Sequence, residues 1–237
     1  GGGNDEEDNA EYEVIQSWNP LAADAVVATG ETLEMDPSAY KMYHALSAEW
    51  PSLSFCLLRD DLGNARTRFP HSLTVALGTQ ADTADHNQLP VMKLSDLAKL
   101  PVESEDDILG EEYRKDNDDS ESDSDDDDVD LDPIVEHYSI PHNGGVNRVR
   151  CMPQRSNIVA TWSDAGTVNL FNVNPILQRF ALGKGTTPII TQNIPTKPYF
   201  TYDKHASEGW ALDWSTAKEG QLATGDCQGN IHIWEQL

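Results

Sequence analysis

His142 lies 29 residues before Phe171, and His205 lies 29 residues before Trp234. Each interval runs in the same order: a strand-like stretch, a turn, a second stretch ending in a small hydroxyl residue, a glycine-containing turn and a third stretch closed by an aromatic. In the first copy these are Val146 to Cys151, Asn157 to Trp162 with Thr161, Ser163-Asp164-Ala165-Gly166, and Thr167 to Phe171. In the second they are Trp210 to Ser215, Gln221 to Thr224, Asp226-Cys227-Gln228-Gly229, and Asn230 to Trp234. Apolar residues alternate within the stretches, as strands with one better-buried face require. Gly166 and Gly229 fall where a tight hairpin turn needs a positive φ.

Units of this size bury a continuous core only by stacking, and such repeats build β-propeller blades. Both copies resemble WD repeats, in which a loop histidine, a Ser or Thr of the second strand and an aromatic of the third form a buried hydrogen-bonded set. The resemblance makes His142, Thr161 and Phe171, then His205, Thr224 and Trp234, structural residues of two repeats. Phe171 offers no indole N–H, and Ala165 and Gln228 stand where the family places its tight-turn aspartate. Weaker networks than a consensus repeat has are therefore expected. The expected fold is all-β, the N-terminal blades of a seven-bladed WD-repeat β-propeller with a side helix. At about 40 to 45 residues per blade, 237 residues cannot close that ring, so the chain reads as the N-terminal portion of a longer protein.

The expected layout is an acidic, mobile segment over 1–30, a helix within 31–50, a first blade over 51–140 interrupted by an acidic loop at 103–132, a second blade over 141–204 and an incomplete third over 205–237. Asp36-Pro37 reads as a helix cap followed by proline at the first helical position, and Pro51 as the stop. Ala39, Met42, Tyr43 and Leu46 then share a core-facing side. Tyr40, His44 and Ser47 fall on the other side, open to a partner. Pro51 to Leu58, Ser72 to Thr79, Val91 to Leu94 and Ile134 to Ile140 read as the strands of the first blade.

Formal net charge is -25. Much of it lies in the acidic loop, where Asp116, Asp118, Asp119, Glu121, Asp123, Asp125, Asp126, Asp127, Asp128 and Asp130 stand against only Arg114 and Lys115. Such a segment buries too little apolar surface to order itself. It attracts a basic partner over a screening length of about 8 Å and repels DNA and RNA. Ser120, Ser122 and Ser124 each have an aspartate three positions downstream, the context of acidophilic kinases, and are candidate phosphorylation sites.

The stretches Ala45 to Leu53, Leu77 to Gln80 and Gly145 to Gln154 are similar to the histone-binding WD-repeat proteins. Leu53-Ser54-Phe55, Arg59 to Gly63, Gly78 to Ala81 and the acidic tract before the first full repeat resemble more closely the glutamate-rich WD-repeat branch. That resemblance implies a chaperone of a basic large-subunit ribosomal protein, working with pre-ribosomal particle factors in the nucleolus and nucleus, with some cytoplasmic loading of cargo. The alternative it leaves open is a histone-binding scaffold within a chromatin complex. No enzyme is expected, and no cofactor or metal. Neither the histidines nor Cys56, Cys151 and Cys227 show metal-ligand spacing. Gly183-Lys184-Gly185-Thr186 lacks the upstream glycine of a phosphate loop, and the tract at 116–128 lacks the glycine and glutamate of a calcium hand. No stretch approaches the ~20 apolar residues of a membrane span.

Overall fold

The computed structural model describes residues 21, 26–27, 29–30, 32–33, 40–63, 65–100, 132–182 and 197–235. Two units divide the chain, 1–40 and 41–237. Every strand among the described residues lies in the second. Its four-stranded first sheet is β1 (Ser52–Leu58), β2 (His71–Thr79), β3 (Gln88–Leu97) and β4 (Ile134–Pro141) in that spatial order. The second sheet is β5 (Val146–Cys151), β6 (Ile158–Ser163), β7 (Val168–Asn172) and β8 (Phe200–Tyr202), with helix α1 (Asn174–Leu182) between its last two strands. The third is β9 (Ala211–Trp214), β10 (Gln221–Gly225) and β11 (Ile231–Glu235). All paired strands are antiparallel.

The first strand of each sheet contacts the first strand of the next, β1 with β5 and β5 with β9, and the sheets stack face to face from there. This is the blade arrangement of a β-propeller. Period-two alternation explains why the middle sheet takes both positions. Val159 of β6 packs in the core shared with Ala76, Leu89, Val91 and Ile140 of the first sheet. Its neighbours Ala160 and Trp162 face the opposite core, with Leu212, Trp214 and Leu222 of the third sheet. Hence Val159 to Ser163 of β6 are all buried, with the hydroxyls of Thr161 and Ser163 hydrogen-bonded, as a strand covered on both faces requires.

Close approach between sheets requires glycine at Gly78, where a Cβ would collide with the Val146 side chain, and at Gly209, where it would meet the Trp162 side chain as well as Gly225 O of its own sheet. Gly166 and Gly229 adopt φ +81° and +89°, as their turns demand. Two tryptophans fasten the second and third sheets reciprocally. Trp162 Nε1 donates to Ala211 O at 3.0 Å and Gly225 O at 3.2 Å, while Trp214 Nε1 donates to Arg150 O at 3.0 Å.

The helix expected up to Glu49 is not formed where it is described: residues 40–50 have no regular secondary structure, and 34–39 lie outside the described residues. Lys41 O, which a helix would pair with the N–H four residues on, accepts instead from Leu100 N at 3.0 Å. Tyr43 and Leu46, expected to face a core, are 47% and 46% exposed. Strand limits also differ: β3 starts three residues earlier and ends three later than expected, its register with β4 running from Gln88↔Pro141 to Ser95↔Ile134.

Candidate partner-binding surface

The two repeat histidines sit in hydrogen-bonded sets of unequal length. His142 is buried, and its Nδ1–H donates to Gly144 O at 2.8 Å, which leaves Nε2 to accept from the Thr161 hydroxyl at 2.9 Å. Burial holds its pKa below the ordinary histidine value. Phe171 lies against the ring at 5.9 Å between centroids and donates nothing.

Around His205 the set is complete at both ends. Trp234 Nε1 donates to Thr224 Oγ1 at 3.4 Å, the Thr224 hydroxyl faces His205 Nε2 at 2.8 Å, and His205 Nδ1 meets Asp226 Oδ2 at 3.2 Å. Asp226 is the residue the family offset missed. It stands two positions before Gln228, at the start of the turn, and also accepts from Gln228 N, Asn230 N and Asn230 Nδ2. Asn230 chiefly, with His205 and Ala206 N, holds its carboxyl well below the usual range. The weakness expected from the missing turn aspartate therefore does not apply to the second repeat. In the first, Ser163 occupies the position of Asp226 and donates to Asn143 O at 2.7 Å.

These sets lie at one end of the stacked sheets, where the β2–β3, β4–β5, β6–β7, β8–β9 and β10–β11 connections meet. Gly144 N bonds Ala84 O, Asp164 N bonds Gly145 O, and Cys227 N bonds Glu208 O. A polar relay crosses all three sheets there: Gln80 Nε2 donates to Asn147 Oδ1 at 3.3 Å, and Asn147 Nδ2 donates to Glu208 Oε2 at 3.1 Å. The connections at this end carry Asp82, Asp85, Asp164, Asp203, Glu208 and Asp226 against one cation, Lys204. Asp82 bonds His86 at 2.7 Å, which lowers the carboxyl's pKa and raises the ring's.

Counted over the described residues alone, the opposite end has the reverse sign. Among the described residues its connections carry Arg59, Arg66, Arg68, Lys99, Arg155, Arg179, Lys197 and Lys218 against Asp60, Asp61, Asp132 and Glu219. The acidic segment between Leu100 and Asp132 joins β3 to β4 at this cation-rich end.

Of the expected partner-binding residues, Tyr40 is 52% exposed. His44 is half-buried, with Nε2 at 3.3 Å from Ala98 O. Ser47 is exposed and lines a groove of about 670 Å³ with Leu46, Trp50, Val75, Leu77 and Met92. The acidic-tract residues Asp116 to Asp130 and the serines Ser120, Ser122 and Ser124 lie outside the described residues. No group of three or more His, Cys, Asp or Glu that could hold a metal ion occurs among the described residues.

Stacked antiparallel sheets, the twice-recurring 29-residue interval from histidine to aromatic and the histidine–threonine sets define a WD-repeat protein. The family of "Histone-binding protein RBBP4", which takes in the corresponding member of the CAF1 complex, matches residues 30–98. "Glutamate-rich WD repeat-containing protein 1" of Dictyostelium discoideum is 42% identical over 97% of this chain and 45% of its own length. "Protein HEAT STRESS TOLERANT DWD 1" of Arabidopsis thaliana is 39% identical over 87% of this chain and 45% of its own. "Ribosome assembly protein rrb1" of Schizosaccharomyces pombe is 34% identical over 86% and 39%. Within the WD-repeat class the chain is homologous to glutamate-rich WD-repeat and ribosome-assembly proteins at 34–42% identity, and it spans less than half the length of these relatives.

Proposed function

We propose that this chain is part of a non-enzymatic ribosome-assembly factor that binds a basic protein of the large subunit and shields it until ribosomal RNA displaces the factor, in the nucleolus and nucleus. The observation that carries this reading is the segregation of charge. Residues 1–40 hold ten Asp and Glu with no Lys or Arg, and 101–131 hold sixteen against two, whereas the rest of the chain holds fifteen against fourteen. A nearly neutral bladed body thus carries two polyanionic segments and one acidic end. A loose polyanion covers a basic surface without fixed geometry, and a denser polyanion such as RNA competes it off. The rigid end formed by Gln80, Asn147 and Glu208 supplies what a polyanion lacks, a surface of defined shape.

A second reading, a scaffold that holds histones, is favoured by the match of residues 30–98 to the histone-binding family. Affinity purification of the full-length protein from native cells at moderate salt, with and without residues 116–132, separates the two. The chaperone reading expects one large-subunit ribosomal protein, free of ribosomal RNA and weakened by the deletion. Recovery of histones with other chromatin proteins, indifferent to the deletion, would replace it with the scaffold.

A further inference from the structure

Cys56 and Cys151 lie 95 positions apart in sequence, yet they sit on β1 and β5, which lie side by side as the first strands of neighbouring sheets. The two strands advance in step. Val149 N donates to Ser54 Oγ at 2.9 Å, and two residues along β5 the Cys151 thiol donates to Leu57 O at 3.0 Å. Ser54, Cys56 and Leu58 share the face of β1 turned towards β5, where Cys56 and Cys151 both pack on the edge of the first core. The Leu57 carbonyl that accepts from Cys151 belongs to the residue that follows Cys56, which brings the two cysteines to the same point of the β1–β5 junction. Cys227, by contrast, is exposed on the β10–β11 turn of the third sheet, away from both.

The two sulfurs are also chemically unequal. Cys151 is held below the ordinary thiol value, first by the neighbouring Cys56 thiol and further by its own backbone and by Arg150 and Arg59, with burial opposing. Cys56 is pushed up by the same pairing and by burial. One thiol is thereby suited to act as nucleophile and the other to hold its proton until needed.

We propose that Cys56 and Cys151 form a redox-active pair that hydroperoxides convert to a disulfide joining the first and second sheets. The Cys151 thiolate attacks the outer oxygen of the hydroperoxide, the O–O bond breaks, and the leaving alkoxide or hydroxide takes up a proton as alcohol or water. Cys151 is oxidised to the sulfenic acid. The Cys56 sulfur then attacks it, the S–S bond forms, the S–O bond breaks, and hydroxide departs as water with the Cys56 proton. Two thiols and one hydroperoxide yield one disulfide, one alcohol or water, and a further water. An external dithiol reverses the oxidation. The bond closes a loop that contains the acidic segment, so oxidation fixes the two strands from which that loop's blade and the next are built.

The test uses the full chain with Cys227→Ser, reduced and then treated with hydrogen peroxide, trapped with iodoacetamide and mapped by peptide mass spectrometry without reductant. Both remaining thiols should be lost together, one cross-linked peptide pair should contain positions 56 and 151, dithiothreitol should restore both thiols, and the oxidised form should melt at higher temperature. In the Cys56→Ser variant, dimedone should label Cys151, while Cys151→Ser should leave Cys56 unlabelled. Mapping of the unmutated chain gives the same answer without any substitution. Full alkylation of both cysteines after peroxide, or linkage only between molecules, would overturn the proposal.

Discussion

The His205 set is longer than the His142 set by one link, at its indole end, and at the other end a carboxylate stands in place of a backbone carbonyl. Trp234 adds an indole donor to Thr224 and Asp226 adds a carboxylate acceptor to His205, whereas Phe171 donates nothing and a backbone carbonyl, Gly144 O, takes the His142 proton. The surroundings differ in the opposite sense. The first repeat lies in a sheet covered on both faces, and Thr161, Trp162 and Phe171 are almost wholly buried there. The second lies in the three-stranded sheet, where Ile231 and Ile233 are 74% and 71% exposed. Within the described residues, the first set is enclosed by two sheets and the second by one, and the second carries the additional indole link.

The largest expected effect breaks the join between the two repeats. Trp162 fills the core between the second and third sheets and donates to two carbonyls of the third. Trp162→Ala removes that volume and leaves Ala211 O and Gly225 O short of a donor. A loss of about 3–5 kcal/mol is expected in urea-induced unfolding, a large share of a typical domain's stability. A loss below about 1 kcal/mol would show that the third sheet contributes little to the second repeat.

Removing a single hydroxyl sharpens the contrast within the sets. Thr224→Val deprives the Trp234 indole of its acceptor and His205 Nε2 of its donor, whereas Thr161→Val deprives only His142 Nε2. Losses of about 2 and about 1 kcal/mol respectively follow from the usual penalty for orphaned buried polar groups. Equal losses would mean that the 3.4 Å indole contact adds nothing to the second set.

Much of this was legible in the sequence because the informative partners recur at a fixed spacing. Thr161 and Thr224 each lie 19 residues after the histidine they bond, and period-two alternation marked the strands of the first sheet. The helix expected near Glu49 failed because periodicity records which residues could share a face and not what is there to cover it. Lys41 and His44 find their partners at Leu100 and Ala98 across the first sheet. Asp226 was overlooked through reliance on a family offset. The usable signal was a carboxylate two residues beyond the threonine, within reach of the ring's other nitrogen. The Gln80–Asn147–Glu208 relay and the Cys56–Cys151 pair join residues from different sheets, and no local pattern announces such neighbours.

The smallest expected effect separates the two sets by pH. Burial places the folded pKa of His142 below its ordinary value of 6.5, so as pH falls below that value the unfolded chain binds a proton that the folded chain refuses. Stability contributed by neutral His142 is therefore full above about pH 6.5 and declines as the solution is acidified, until the folded ring also titrates. Asp226 acts in a different window. Its folded pKa lies below the ordinary 3.8, so its contribution is present above that value and is lost as pH falls through the folded one. Melting temperature recorded from about pH 7 to about pH 3 should show a first decline that His142→Asn flattens and Asp226→Asn leaves in place, then a second below about pH 4 that responds the other way round. If both substitutions flatten the same limb, the two sets titrate as one unit, and the contrast between the two repeats fails.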